Sequence, residues 1–218
     1  ELMPCPATSS FPTTAPSGSP QGAPTEAVTL RAAQAEDADA LALVGAATFL
    51  EAFTWMLPGV DIVAHCAKHH TATAYRSYLA QPDTRITLAV TALGGAPVGY
   101  AMLTAPELPT FAVQPTDIEL KRIYLFSRFR SESTPVLQFS ARTGEMEPVT
   151  GLRAGQALME AAVADARGLG RTRLLLGTHA GNTQAISFYR KNGFAEAGTR
   201  TFQVGAQVCC DLIFAKLL

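Results

Sequence analysis

Apolar and polar residues alternate over Val28-Thr29-Leu30-Arg31, which predicts a short strand, and two β-rich runs over 85–92 and 97–104 predict two more. Leu93-Gly94-Gly95-Ala96 joins the last two, and glycines able to take positive φ at that spacing predict a hairpin. The period changes after Asp37, read as a helix cap. Leu43, Ala46, Ala47, Leu50 and Phe53 then recur at helical spacing and predict an amphipathic helix. Leu57-Pro58-Gly59 ends it, and a second helical stretch over about 61–80 runs to Gln81-Pro82-Asp83. Residues 117–126 (DIELKRIYLF) read as a strand with Ile118, Leu120, Tyr124 and Phe126 on one face and Glu119, Lys121, Ile123 and Leu125 on the other. A helix from Gly155 carries Met159, Ala162, Val163 and Ala166 and stops at Gly168 and Gly170.

The continuously apolar Arg173–Gly177 (RLLLG) suits a strand covered on both faces, and residues 182–192 form a short helix closed by Gly193. Two strands over about 194–203 and 207–216 finish the chain. The order β α α β β β α β α β β predicts a mixed α/β (α+β) domain, with no repeat and no long linker. Two segments fall outside the pattern. Residues 1–26 hold six prolines among Ser, Thr and Gly and are expected to be a disordered tail, leaving one domain over 27–218. Residues 131–150 have no sustained periodicity, and one alanine, Ala141, lies between Lys121 and Arg153 in a chain that carries 37. This stretch reads as an unstructured inserted loop.

Composition narrows the function by exclusion. Lys+Arg 17 against Asp+Glu 18 gives a net charge of −1, so no general electrostatic drive toward nucleic acid or anionic membrane exists. No apolar run approaches the ~18–20 residues of a spanning helix. Four cysteines do not make a disulfide framework in 218 residues, and Cys209-Cys210 would point to opposite faces of a strand. With no basic residue before Arg31 and no long apolar run, the first residues do not read as a secretory signal, and a cytoplasmic protein with reduced thiols is expected.

The turn Gly151-Leu152-Arg153-Ala154-Gly155-Gln156-Ala157 opens a helix, where free N–H groups and the dipole favour a phosphate. It is neither a P-loop nor G-x-G-x-x-G, and a purely structural turn is the commoner reading of such a segment. The run Asn182-x-x-Ala185-x-x-Phe188-Tyr189-x-x-x-Gly193-Phe194 sets an aromatic pair one turn before a glycine cap. His65 and His69 share a helix face, but no third ligand is suitably spaced, so no metal site is expected and that helix is expected to line a cleft. Phe49, Phe53, Trp55 and Met56 read mostly as core.

Taken together, the strand DIELKRIYL, the turn and helix GLRAGQALMEAA, the strand RLLLG, the helix NTQAISFYRKNGF and the closing GTRTFQVG…CCDLIFAKLL resemble the GCN5-related N-acetyltransferases (GNAT). The likeness is greatest to the PaiA-type polyamine branch, through Glu119-x-x-Arg122-Ile123-Tyr124 and Asp211-Leu212-Ile213-x-Ala215-Lys216-x-Leu218. It implies a mixed, mostly antiparallel sheet of about six to seven strands flanked by about four helices. It also implies acetyl-CoA as cofactor and a small amine, polyamine first, as acceptor. A peptide or protein N-terminal amine is the alternative acceptor, and a CoA-binding sensor without turnover the alternative function. Nucleic acid and membrane are not implied as partners; a homodimer is compatible with the family.

Carried onto this chain, Ile123, Tyr124 and Leu125 would pair with the pantetheine arm, and Arg130 would join the cofactor site. Gly151, Arg153, Ala154, Gly155, Gln156 and Ala157 would hold the pyrophosphate. Asn182 would bond near the pantetheine end, Tyr189 would protonate the leaving thiolate, and Glu119 would act as base. Phe49, Phe53 and His179 would face the acceptor. The family turn, approximately Q/R-x-x-G-x-G/A, is met imperfectly: either Arg153 stands for its first glycine, or Leu152 stands where Gln or Arg belongs.

Overall fold

A computed structural model describes residues 26–108, 111–131, 133–204 and 207–218. Strand β1 (Val28–Ala32) leads through a 3-10 turn (Ala35–Asp37) into α1 (Ala38–Phe53), α2 (Gly59–His69) and α3 (Ala72–Leu79). The hairpin β2 (Arg85–Thr91) and β3 (Pro97–Thr104) precedes β4 (Asp117–Leu125). A second hairpin, β5 (Val136–Ser140) and β6 (Glu145–Pro148), is followed by α4 (Ala154–Gly168), β7 (Arg173–His179) and α5 (Thr183–Lys191). Strands β8 (Ala195–Val204) and β9 (Gln207–Leu217) close the chain. All nine described strands form one sheet in the order β6-β5-β1-β2-β3-β4-β7-β9-β8, parallel at β1–β5 and β4–β7 and antiparallel elsewhere. The α4 and α5 side chains pack on one face, and α1 and α3 cover the other.

The expected class holds, while the counts among the described residues grow to nine strands and five α-helices. Segment 131–150 is not an unstructured loop. Gly144 turns it at φ 76° and β5 lies parallel to β1, with Val136 opposite Val28 and both fully buried. Phe139 and Met146 are exposed, so the hairpin shows no clean inside–outside alternation to read. The helical stretch 61–80 divides because Thr71 caps α3, its hydroxyl accepting from Ala74 N–H at 3.1 Å. The tail lies outside the described residues, apart from Glu26, which pairs with Arg128 at 2.7 Å.

Two faces were assigned differently from the sequence. On α1 the buried stripe is Leu41, Val44, Gly45, Thr48 and Phe49, while Leu43 and Leu50 face solvent. The helix is apolar nearly all round, and the buried face uses Gly45 and Thr48, whose hydroxyl donates to the Val44 carbonyl at 2.6 Å. Asp37 precedes α1 without capping it; its carboxylate instead takes Arg31 and the Gln34 N–H, each at 2.7 Å. On β4, Met102 stands opposite Arg122 but Leu103 opposite Leu120, so Lys121 is an extra residue, a bulge. The bulge reverses the alternation. Ile118, Leu120, Ile123 and Leu125 all join the α4 core, and Arg122 and Tyr124 turn to the α1–α3 face.

Candidate active site

Strands β4 and β7 run side by side but pair only over their first three residues, from Asp117 opposite Arg173 to Glu119 opposite Leu175. Beyond that point both strands line a cleft of about 1820 Å³. Phe126 N–H bonds to the Val98 carbonyl, so the alternation of the antiparallel ladder spends the backbone groups of Tyr124 on β3. Those of Ile123 and Leu125 face the cleft. Arg130 Nε already donates to the Leu125 carbonyl at 2.8 Å, and its guanidinium lies 3.8 Å from Glu51.

Across the cleft stands the N-terminus of α4. Its first residues are small, and its preceding residue, Arg153, provides no side-chain cap. The N–H groups of Ala154, Gly155 and Gln156 therefore lack intrahelical acceptors. Ala157 does not share this role, because its N–H bonds to the Arg153 carbonyl at 2.9 Å and its side chain is buried in the core. The Ala154 side chain is buried as well, leaving that residue only its backbone to offer. A Cβ on Gly155 would meet nothing within 4 Å, and Gly151 turns the chain at φ 75°. Gly151, Arg153, Gly155 and Gln156 all line the cleft. An elongated molecule with an anionic group at this end fits the surroundings.

Tyr189 and Asn182 come from α5. Tyr189 is buried between Phe194 and Phe214 at 6.0 and 6.3 Å, and burial with the nearby Tyr124 pushes its phenol well above the ordinary value. Asn182 caps α5, its Oδ1 accepting from Ala185 N–H at 3.1 Å. Glu119 is 2% exposed; its carboxylate accepts from Glu107 N–H at 2.7 Å and lies 3.9 Å from the Arg200 guanidinium. Arg200 also meets Asp211 at 3.2 Å and lies flat on Gly177, where a Cβ would overlap its guanidinium. Burial raises the Asp211 carboxyl, with Arg200 opposing the shift. Asp211 and Arg200 went unrecognised in the sequence as cleft residues. Only the strand pairing brings them to Glu119, and local spacing holds no sign of it.

The other half of the cleft is built by α1, α2 and α3. Phe49, Phe53 and His179 line the cleft, with His179 edge-on to Trp55 at 6.2 Å and accepting from Gly181 N–H. His65 stacks on Phe49 at 4.2 Å and touches His69 at 4.6 Å, and both histidines line the cleft. Burial lowers His65 to about 4 and His70 to about 2, aided by neighbouring charge that includes Arg122. Tyr75 donates to Tyr100 at 2.8 Å, so His70 Nδ1–H donates to Tyr75 Oη at 3.0 Å. Among the described residues no group of three or more His, Cys, Asp or Glu could hold a metal ion, and no helix is long and apolar enough to cross a membrane.

With this geometry in place, comparison with known proteins is informative. The sequence profile of the Acetyltransferase (GNAT) family matches residues 146–194, which span the turn before α4, α4 itself, β7 and α5. The chain is 30% identical over 182 residues to uncharacterized N-acetyltransferases of Mycobacterium bovis and Mycobacterium tuberculosis, covering 84% of this chain and 98% of theirs. The chain belongs to the GNAT family of N-acetyltransferases. Its fold is shared with the PaiA N-acetyltransferase of Thermoplasma acidophilum, solved with coenzyme A (TM-score 0.64, 18% identity, 88% of this chain and 99% of that one). It is shared too with a GCN5-related N-acetyltransferase of Rhodopseudomonas palustris (TM-score 0.59, 16% identity, 90% and 99%).

Proposed function

We propose that this chain moves the acetyl group of acetyl-CoA to the primary amine of a small molecule by direct attack of the amine on the thioester. One observation carries the reading: the edge of β4 at Ile123 and the Leu125 N–H, left unpaired by β7, opens into the same cleft as the uncapped N-terminus of α4. Such an edge suits an extended amide-bearing arm, and such a helix end suits a pyrophosphate. The relative from Thermoplasma, with coenzyme A bound on the same fold, supports the choice.

Acetyl-CoA supplies an activated acyl group; the protein's part is to orient it and manage protons. Ala154, Gly155 and Gln156 receive the diphosphate on their N–H groups, and Asn182 offers its side-chain amide near the far end of the arm. As the N–C bond forms and the C–S bond breaks, the amine gives a proton to Glu119, directly or through water. Tyr189 donates its O–H to the departing sulfur. Its raised pKa keeps it protonated at every working pH, but full transfer to a thiolate with a conjugate acid near ~8.5 is uphill. Tyr189 therefore holds the thiolate by hydrogen bond, and solvent completes the protonation.

Titration calorimetry of the whole chain with acetyl-CoA, followed by thiol release over a panel of amines including spermidine, tests the reading. Absence of acetyl-CoA binding sinks it. Binding without release on any amine leaves a CoA-sensing protein instead.

A further inference from the structure

Within that reading, the charges of the acceptor half narrow the acceptor. Arg122 is 9% exposed and lies on the cleft wall, its guanidinium over the rings of Tyr75 at 5.5 Å and Tyr78 at 5.6 Å. Its Nη1 is buried and has no hydrogen-bond partner among the described residues. Three other cleft cations meet carboxylates: Lys121 meets Glu107 at 2.6 Å, Arg130 meets Glu51 at 3.8 Å, and Arg200 meets Asp211 and Glu119. No described carboxylate forms an ion pair with Arg122.

Its surroundings cannot compensate it either. Tyr75, Tyr100 and Tyr124 carry phenols raised by burial, Tyr124 to about 12, and remain neutral. His65, His69 and His70 are pushed down and offer no negative charge. A buried cation ringed by neutral groups is costly unless an anion joins it. A guanidinium on a cleft wall with no carboxylate partner suits a carboxylate or phosphonate. Glu119, on the same strand, and Asp211, on β9, both meet the guanidinium of Arg200, a pair of carboxylates suited to an ammonium. Glu119 and Arg122 stand opposite Thr104 and Met102 because the bulge takes up one residue, which sets them about 7 Å apart along β4, so a short molecule reaches both.

We infer that the acceptor is an amine that also carries an anionic group, an amino acid or aminophosphonate, with the anion held by Arg122 and the amine directed to Glu119. This rests on the acetyltransferase reading and sets it against a polycationic acceptor.

The test measures thiol release from acetyl-CoA by the whole chain with L-amino acids, β-alanine, 4-aminobutyrate and 2-aminoethylphosphonate. Their methyl esters or decarboxylated counterparts, and spermidine, are run alongside. At least one anionic amine is expected to exceed its ester in kcat/KM by about 30-fold or more. Arg122→Gln should lower kcat/KM for that amine to the level of the ester, mainly through KM, with acetyl-CoA affinity retained. Arg122→Lys, which keeps the charge and much of the packing, should restore part of the preference and separates charge from folding. Preference for spermidine or the esters, or an anionic preference that survives Arg122→Gln, overturns the inference and leaves the transferase reading standing. Failure of the wild-type chain to bind acetyl-CoA overturns that reading itself.

Discussion

The two sides of the cleft are made of different materials. The side formed by the β4 edge and α4 is almost all backbone: unpaired strand groups, three helix N–H groups and an open Gly155. The side formed by α1–α3 is almost all side chain: phenols, imidazoles and one buried guanidinium, held by Gly45, where a Cβ would overlap the His70–Tyr75 pair. A backbone site recognises what every member of a cofactor class shares, because main-chain donors are the same in any sequence. A side-chain site recognises what is particular, and each substitution there can change the partner. Damage to the first side should therefore appear as weaker acetyl-CoA binding, and damage to the second as altered acceptor choice or stability.

The division can be broken most forcefully at Gly155. Gly155→Glu places a negative charge at the uncapped helix end and should weaken acetyl-CoA binding by roughly 100-fold or more, with thermal stability near wild type because the position is open. Retained affinity in calorimetry would remove α4 from the cofactor side. Tyr189→Phe, where the two sides meet, should cost about 100-fold in kcat with little change in acetyl-CoA affinity; equal turnover would dismiss the hydroxyl. Gly45→Ala should lower stability by about 1–3 kcal/mol, read as a drop in denaturation midpoint, because its methyl must displace His70 or Tyr75.

The mildest probe is pH. His65 at about 4 and His70 at about 2 are neutral when folded, whereas the unfolded chain binds protons below ~6.5. Their contribution is complete above that pH and is lost as pH falls through the folded values. The melting temperature should thus decline from pH 7 to pH 5, and His65→Asn should flatten the decline; a midpoint flat or rising over that interval in the wild type would contradict the burial of these rings.

Much of the backbone side was legible in the sequence, since turns, caps and glycines act locally. Gly151, Gly155, Asn182 and Gly193 marked elements that the structure places within about a residue of expectation. The side-chain half was less legible. Phe49, Phe53 and His179 do line the cleft, but Arg200 and Asp211 reach Glu119 only through strands distant in sequence. The α1 stripe was misread because Gly45 and Thr48, not Leu43 and Leu50, face the core. The hairpin at 136–148 escaped notice because much of its surface stays wet.

The bulge at Lys121 makes the acceptor pocket depend on parity as well as on residue type. Deleting Lys121 would remove the extra residue itself, so Arg122 would stay opposite Met102 and every later residue would keep its face. Deleting Ile123 instead would turn the rest of β4 over, sending Tyr124 toward the α4 core and Leu125 to the α1–α3 side. Substitutions along β4 can be accepted one at a time; a change in its length past the bulge cannot. For descendants of this sequence, this side of the cleft should drift through point changes, and insertions or deletions past the bulge should be lost.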